Sequence, residues 1–323
     1  MATPIGADTL TALSRRHIMP MIVDNVYNSN PIFFRLYKAN KRIIQGGTQI
    51  EVPLMYRRFT AGGPYQGYDT LTVAPEDTVK NGAWDWKQHY VTVAVDGLTL
   101  IKTDSPDSVA NYLKFYFAQA EMEMAENLAN GLWSDGTNTK EIDGLEAAVD
   151  DGGVATTYAG LTRSSNTFLN AQDDSTTATL TATSLQSLFG NVAEGGRHPT
   201  VIASRQEQYN RFWALNALNQ DFPSQPAGSD VQLASAGFTN QLFNGVPWIV
   251  DSHVFDGPNA SNSAIVMLNE DYLYMAVSPR ADFYLTPFQE PVNQDAMVAK
   301  MLWAGNLIVP NTQRQGKMSN VSA

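Results

Sequence analysis

The strongest constraint on the fold of this chain is one long helical pattern between residues 106 and 132. Apolar side chains recur there at steps of three and four, and neither glycine nor proline interrupts them between Pro106 and Gly131. Asp104-Ser105 supplies an N-cap, and proline is favoured at the first helical position. Such a helix is a rod of roughly 40 Å, at about 1.5 Å per residue. The remaining chain must cover its apolar face.

Two strand patterns ahead of this helix predict an extended hairpin. Apolar and polar side chains alternate from residue 50 to 57, and they alternate again from about 79 to 95. Residues 59–75 between them are rich in glycine and other turn formers. A two-stranded hairpin alone in water is marginally stable at best. Its aromatic residues therefore need a partner surface, either the body of this chain or a neighbouring subunit; they are Tyr56, Trp84, Trp86 and Tyr90.

The first 60 residues are basic, whereas the rest of the chain is acidic. They hold eight Lys and Arg against three acidic residues, although the net charge of the whole chain is −11. Apolar residues at 32, 33, 36 and 37 have helical spacing within this basic stretch. They either form an arm that lies on another surface or pack against the chain's own core. In the first case, Arg15 and Arg16 would dock on the acidic surface of an adjacent subunit.

After the long helix, short strands alternate with helices. Helices are predicted at 184–194 and about 209–218, and strands at 200–204, 246–251, 264–268, 273–277 and 297–309. A loop-rich zone at 150–182 lies between them and the long helix, with Leu161-Thr-Arg163 as one anchor point. We therefore predict an α+β fold with a compact sub-domain in the second half of the chain.

The residues that would support catalysis are scattered along the sequence. The chain has no cysteine, which excludes disulfides, thiolate nucleophiles and zinc–thiolate sites. Its four histidines show no metal-ligand spacing. A hydrolase built on His253 would use Ser204 or Ser252 as nucleophile, but neither lies in a Gly-x-Ser-x-Gly turn. We therefore predict no catalytic site, no metal and no cofactor, so that the chain is not an enzyme.

Other candidate ligand sites also lack the required spacing. Asp150-Asp151 and Asp173-Asp174 do not have the alternate spacing and closing glutamate of calcium loops, which favours solvated turns. The glycine pairs lack the Gly-Lys-Ser/Thr ending that cradles phosphate. An acidic body binds nucleic acid poorly, because such binding depends on phosphate neutralisation. No secretory signal and no apolar run of about 20 residues is visible, so we expect use in a cytoplasm and no membrane.

The order of these elements resembles the major capsid proteins of tailed bacteriophages, which have the HK97-type fold. The series is an arm, an extended hairpin, a capped long helix, a helical sub-domain and a terminal strand. Short segments fall in the same order, namely Ile142-Asp-Gly-Leu145, Leu161-Thr-Arg163, Pro199-Thr-Val-Ile-Ala-Ser204, Phe243-Asn-Gly-Val-Pro-Trp-Ile-Val-Asp251, Asn269-Glu-Asp-Tyr-Leu273 and Leu302-Trp-Ala-Gly-Asn-Leu307. The resemblance rests on this series and covers almost the whole chain.

The resemblance implies four regions and a structural role. Residues 1–45 would be an N-terminal arm and 46–96 an extended loop. Residues 97–150 and 284–323 would form a peripheral domain around the spine helix, and 151–283 an axial domain at the capsomer centre. The implied product is a virion protein, assembled in the host cytoplasm into hexamers and pentamers of an icosahedral head around double-stranded DNA.

The implied partners are copies of the same chain, a separate scaffolding protein and a portal, with a decoration protein as an open option. The DNA would be held without sequence-specific binding. Expected subunit contacts are Arg15, Arg16, Phe33, Arg57, Arg58, Tyr65, Tyr68, Trp84 and Trp86. Encapsulins, bacterial nanocompartments that hold an enzyme instead of a genome, share the fold and are the alternative. The hydrolase built on His253 is the alternative from another class.

Overall fold

The computed structural model describes residues 30–71, 73–98, 106–176, 178–217, 241–257 and 262–322. The predicted contacts Arg15 and Arg16 and the predicted cap at 104–105 lie outside these residues. The helices are α1 (Pro31–Ala39), α2 (Pro106–Leu132), α3 (Leu145–Ala148), α4 (Ala182–Val192) and α5 (Gln206–Ala217). The strands are β1 (Lys41–Ile43), β2 (Gln49–Met55), β3 (Val79–Asp85), β4 (Lys87–Asp96), β5 (Thr157–Tyr158), β6 (Leu161–Thr162), β7 (Gln172–Asp174), β8 (Ala178–Thr179), β9 (Val201–Ser204), β10 (Leu242–Phe243), β11 (Val246–Val250), β12 (Asn262–Leu268), β13 (Tyr274–Val277), β14 (Tyr284–Leu285), β15 (Ala296–Ile308) and β16 (Gly316–Ser322).

The long helix α2 is present as predicted. Phe117, Met124 and Leu128 are buried along one side of it, as the helical spacing requires. This side packs against β4. After the helix the chain turns back sharply, and a Cβ added to Gly144 would lie only 2.2 Å from the carbonyl oxygen of Ser134. The close return therefore requires glycine at this position.

A first sheet lies beside α2. Its strands follow the order β1, β13, β15 and β14, and β4 also pairs with β15. β15 is the predicted terminal strand, and its antiparallel pairing with β4 runs from Ala296 opposite Asp96 to Gly305 opposite Lys87. Because β4 directly follows the predicted hairpin, this ladder joins the hairpin to the C-terminal part of the chain.

A second sheet contains β10, β11, β9, β12, β16 and β7 in that order, and β8 also pairs with β16. Its strand β12 is buried along its whole length. Ile265 and Met267 face a smaller core that includes side chains of α4 and α5. Ala264, Val266 and Leu268 alternate with them and face the larger core, which also includes α2. The second sheet is therefore covered on both faces.

Sheet membership departs from the predicted domain boundaries. β13 lies within 151–283 but pairs with β15 in the first sheet. β16 lies within 284–323 but pairs with β12 in the second sheet. Each sheet thus contains a strand from the range that was predicted to form the other domain. The physical reason is that β12 is a central strand and needs a hydrogen-bonded neighbour on each side, which distant segments supply.

Helix α1 packs against the chain's own core. Of the two alternatives for the apolar residues of the basic stretch, the structure therefore shows packing on the own core and not on another surface. Phe33 and Leu36 are buried there. Arg35 donates two hydrogen bonds to the carboxylate of Glu270, at 2.6 and 2.8 Å. Asn40 donates a further bond to the carbonyl oxygen of Glu270 at 2.6 Å. Residues 30–43 therefore pack with the body, and the division of the chain into an arm at 1–45 and three further regions stays a prediction.

Candidate assembly interface

The hairpin formed by β2 and β3 carries a loop of residues 56–78, here called the tip. The two strands pair in antiparallel fashion from Gln49 opposite Asp85 to Met55 opposite Val79. Beyond this ladder, large apolar side chains of the tip are exposed by 57% or more; they are Phe59, Tyr65, Tyr68, Leu71 and Val73. Exposed apolar side chains gathered in this way mark an interaction site.

The carboxylate of Glu76 connects the two ends of the tip. Glu76 accepts hydrogen bonds from the backbone N–H groups of Thr60, at 2.7 Å, and Ala61, at 3.1 Å, and from the hydroxyl of Thr60. Arg57 lies 3.8 Å from the same carboxylate. The hydrogen bonds from Thr60 lower the pKa of Glu76. The tip is thus a closed loop, although its apolar side chains are uncovered.

Four of the predicted contact residues lie together on this tip. Arg57 and Arg58 stand at its start, and Tyr65 and Tyr68 lie in its outer part. All four are exposed. The structure therefore brings them onto one excursion from the body, and their role as subunit contacts stays a prediction.

Three other predicted contacts lie elsewhere. Phe33 in α1 and Trp84 in β3 are 0% and 1% exposed, within the chain's own core. Neither presents its side chain to a neighbour in this structure, because each contributes a large apolar surface to the folded body. Trp86 is half-buried, and its Nε1 donates to the carbonyl oxygen of Gly47 at 3.1 Å. For Trp84, the body of this chain is therefore the partner surface.

Some exposed residues of the tip were not anticipated from the sequence. Phe59, Leu71 and Val73 lie within or beside a stretch that was treated as a turn-rich connection. The available signal was the presence of large apolar side chains among turn formers. Turn formers alone would make a solvated loop, whereas apolar residues in an exposed loop indicate a surface that another molecule covers.

The arrangement around His253 does not match a hydrolase. Its Nδ1 lies 3.1 Å from Asp251 Oδ1 and its Nε2 lies 2.8 Å from Glu126 Oε1, so carboxylates occupy both ring nitrogens. Ser252 Oγ lies 3.5 Å from the same Nδ1, whereas a serine nucleophile would need the nitrogen opposite the orienting carboxylate. Ser204 is fully buried within β9. His253 therefore has no serine placed as a nucleophile among the described residues.

The same carboxylates shift the pKa of His253. Burial lowers the pKa of His253, but the hydrogen bonds with Glu126 and Asp251 outweigh burial and raise the pKa above its ordinary value of 6.5. Through these two contacts the ring links α2, which carries Glu126, to the segment that follows β11.

Asp150 is fully buried, so the predicted solvated turn at Asp150-Asp151 is wrong at its first position. Three backbone N–H groups within 3.0 Å donate to its Oδ2; they belong to Gly152, Val154 and Ala155. Its Oδ1 accepts from the ammonium of Lys317 at 3.1 Å. The burial of a carboxylate is possible here because both of its oxygens accept hydrogen bonds. Three of these donors lie within five residues of Asp150, and only Lys317 comes from a distant part of the sequence.

Lys317 of β16 is the cation at the centre of this cluster. Its fully buried ammonium lies 3.1 Å from Asp150 and 3.3 Å from Asp173. Ligand oxygens of Asp150, Asp151 and Asp173 lie within 4.8 Å of one another, a spacing that could hold a metal ion. The ammonium already bridges two of the three carboxylates, so we interpret the cluster as a buried ion network that joins β7 and β16. Burial also raises the pKa of the neighbouring Glu146 to about 7.

Comparisons by sequence find no counterpart: no protein-family model matches this chain, and no curated protein matches it. Solved structures match over most of its length. A chain of the cyanophage A-1(L) capsid asymmetric unit has 14% sequence identity and a TM-score of 0.65, and the match covers 91% of this chain and 93% of that one. A chain of the holo-SrpI encapsulin complex from Synechococcus elongatus has 13% identity and a TM-score of 0.58, covering 95% and 89%. A chain of the capsid of a native GTA particle has 11% identity and a TM-score of 0.54, covering 89% and 90%.

These matches confirm the predicted fold. The chain has the α+β, HK97-type capsid fold that the order of hairpin, long helix, sub-domain and terminal strand indicated. Within the described residues, no helix combines the length and hydropathy that a bilayer span requires.

Proposed function

We propose that this chain, which has the HK97-type capsid fold, is the major capsid protein of a tailed bacteriophage. It would assemble into hexamers and pentamers of an icosahedral head that encloses double-stranded DNA. The observation that carries this proposal is the tip, whose large apolar side chains project uncovered from a body with an extensive core. In a shell of identical subunits, every tip meets the same surface of a neighbouring copy.

The tip would supply contact area, and the basic residues at its start would supply orientation. Burial of about 1,000 Å² of apolar surface per subunit would contribute about 25 kcal/mol before association costs. Arg57 and Arg58 are exposed on a chain whose net charge is −11, so an acidic neighbour would attract them. That attraction is screened by salt, whereas the apolar contact is not. Many contacts of modest size would together hold the shell.

We also propose the further partners of such a head. A scaffolding protein and a portal would take part in assembly in the host cytoplasm, with a decoration protein as an open option. The DNA would be enclosed without sequence-specific binding, because an acidic subunit repels phosphate. The role would be structural rather than enzymatic, since carboxylates occupy both ring nitrogens of His253 and Lys317 pairs with the Asp150 cluster.

An encapsulin-type shell is the second candidate, and the match with the SrpI encapsulin complex supports it. Both candidates would use the tip in the same way. They differ in what the particle holds: a phage head encloses a genome, and an encapsulin encloses a cargo protein.

Size-exclusion chromatography and negative-stain microscopy of the expressed chain test the proposal. We expect closed particles of megadalton mass, formed alone or with a scaffolding protein from the source. A compact monomer that forms no particles under either condition would contradict a shell function. Particles purified from the source distinguish the two candidates. Nuclease-protected double-stranded DNA supports a phage head, whereas a co-purifying protein without DNA supports an encapsulin.

A further inference from the structure

The lower part of the hairpin is fastened to one loop of the same chain. This loop, residues 157–169, contains β5, β6 and two 3₁₀ turns, and we call it the latch loop. Its first contacts with the hairpin lie at the end of β3 that is farthest from the tip. The backbone N–H of Ala83 in β3 donates to the carbonyl oxygen of Ala159 at 3.0 Å. The ring of Trp84 packs edge-on against Tyr158, with centroids 5.9 Å apart.

A second set of contacts lies closer to the tip and involves side chains from both hairpin strands. The ammonium of Lys80 in β3 donates to Asn166 Oδ1 at 2.6 Å. The same ammonium lies 5.0 Å from the ring centroid of Tyr56, the first residue of the tip. The ring of Tyr56 in turn lies 5.8 Å from that of Phe168. Two residues of the hairpin therefore meet two residues of the latch loop.

The latch loop is itself held rigidly by one buried arginine. The guanidinium of Arg163 is 1% exposed and donates to four backbone carbonyl oxygens. These belong to Ala147, Ala148, Asp150 and Leu169. Asn166 donates from Nδ2 to the carbonyl oxygen of Thr162 at 2.8 Å, which leaves its Oδ1 directed at Lys80. The acceptor for the hairpin lysine is thus held in place by contacts within the latch loop itself.

The opposite end of the hairpin has the properties of a hinge. Gly46 and Gly47 precede β2 with φ values of +76° and +96°, a region that glycine adopts without strain. On the other strand, Trp86 separates β3 from β4. β3 pairs with β2, whereas β4 pairs with β15, so the hairpin and the first sheet are separate sheets. The burial of Ile50, Leu54 and Trp84 in the body restrains a pivot at the base of the hairpin. The contacts of Lys80 and Tyr56 therefore matter most for the part of the hairpin that adjoins the tip.

We propose that the latch loop fixes the angle of the hairpin through Lys80–Asn166 and Tyr56–Phe168, and so determines where the tip meets a neighbouring copy. Lys80, Tyr56, Asn166 and Phe168 are then positioning residues: they act on assembly through the tip and not by touching the neighbour. This inference rests on the proposed shell function for its consequence, but the fixed angle is a property of the single subunit.

Distance measurement between two spin labels tests the fixed angle. The chain contains no cysteine, so labels can be attached at Gln66→Cys on the tip and Glu207→Cys on α5 without removing native residues. Labelled chain is diluted into unlabelled chain so that each distance is measured within one subunit. We expect a single narrow distance peak in the otherwise native chain, and loss of that peak in Lys80→Met combined with Phe168→Ala.

Matched variants separate positioning from general stability. Lys80→Arg combined with Phe168→Tyr keeps a cation and a ring and should restore the narrow peak. Lys140→Met removes an exposed lysine from the body and should leave the peak unchanged. A narrow peak that persists in the Lys80→Met, Phe168→Ala chain would overturn the proposal, as would a broad distribution in the native chain.

Particle morphology tests the consequence. We expect the Lys80→Met, Phe168→Ala chain to form particles of mixed diameter, and the Lys80→Arg, Phe168→Tyr chain to form uniform ones. Uniform wild-type particles from a chain whose label distance has broadened would overturn the role in assembly. Failure of the native chain to form particles under any condition would instead refute the shell function, and the label distance would still decide the fixed angle.

Discussion

The base and the tip of the hairpin are one continuous stretch of chain with opposite surroundings. Ile50, Leu54 and Trp84 at the base are each less than 5% exposed, whereas Tyr68 and Val73 at the tip are exposed by 94% or more. Both parts contain aromatic and aliphatic side chains, so composition does not separate them. The difference is the neighbour: the base packs against the body of its own subunit, whereas the outer part of the tip has no such cover among the described residues. Folding stability should therefore reside in the base and assembly in the tip.

Deletion of residues 59–75 should separate the two roles most clearly. We expect complete loss of closed particles together with a nearly unchanged free energy of unfolding, because the large apolar side chains that are removed are already exposed to water. Size-exclusion chromatography with light scattering gives the first quantity and urea denaturation gives the second. Normal particles from the shortened chain would remove the tip from the assembly mechanism.

Replacement of Lys317 by Met should cause a large loss of stability in the body. The change leaves Asp150 and Asp173 buried without their shared cation. Loss of one partner from a buried ion pair costs about 3–5 kcal/mol, and we expect urea denaturation to show a decrease of this size. Lys300→Met on the exposed side of β15 is the control and should change stability by about 0.5 kcal/mol or less. Equal effects of the two changes would refute the buried network.

Two aromatic substitutions compare base and tip directly. Trp84→Ala removes a buried ring and should lower the free energy of unfolding by about 3–5 kcal/mol. Tyr68→Ala removes an exposed ring and should change it by about 0.5 kcal/mol or less, while lowering the yield of particles. Denaturation of the unassembled chain, followed by particle counts, checks both. The comparison fails if Tyr68→Ala destabilises the subunit as much as Trp84→Ala does.

The body should also become less stable as pH rises, through two groups whose folded pKa values are raised. A group of this kind contributes stability that is fully present below its unfolded pKa and is lost as pH rises through its folded pKa. For Glu146 the loss falls between pH 4.5 and about 7. For His253 it begins near pH 6.5 and continues above it. Urea denaturation from pH 5 to 9 should show this decline, and His253→Gln should flatten its upper part. If His253→Gln leaves the dependence of unfolding free energy on pH unchanged, the hydrogen bonds of His253 with Glu126 and Asp251 do not raise its pKa.

The smallest effect is expected for charge reversal in the N-terminal stretch. Arg15→Glu combined with Arg16→Glu should weaken assembly at low salt and have little effect at high salt, because salt screens exposed charges beyond about 10 Å at 0.1 M ionic strength. Light scattering during assembly at two salt concentrations measures this difference. Equal assembly of both chains at low salt would argue against a basic contact with an acidic neighbour.

Several elements could be predicted because their signals are local. Helix α2 is recognisable from apolar residues at helical spacing after proline, and β2 and β3 from alternation around a turn-rich segment. Helix α4 was predicted at 184–194 and spans Ala182–Val192, where Thr181 and Ser184 form a capping box. Each of these inferences uses neighbours within a few positions in the chain. Tyr65 and Tyr68 were named as subunit contacts from their place in the extended loop that the resemblance implies, and that role stays a prediction.

The remaining features depend on residues that are far apart in sequence. The burial of Phe33 and Trp84, the placement of β13 and β16 in opposite sheets, and the meeting of Lys317 with Asp150 all require long-range pairing. A local sequence pattern indicates how apolar a segment is, but not which surface will cover it. The sequence alone therefore predicted which helices and strands form and in what order, and it predicted that the hairpin needs a partner surface. Three-dimensional packing assigned its base to the subunit and left its tip uncovered, because coverage depends on which distant segments fill the space around each side chain.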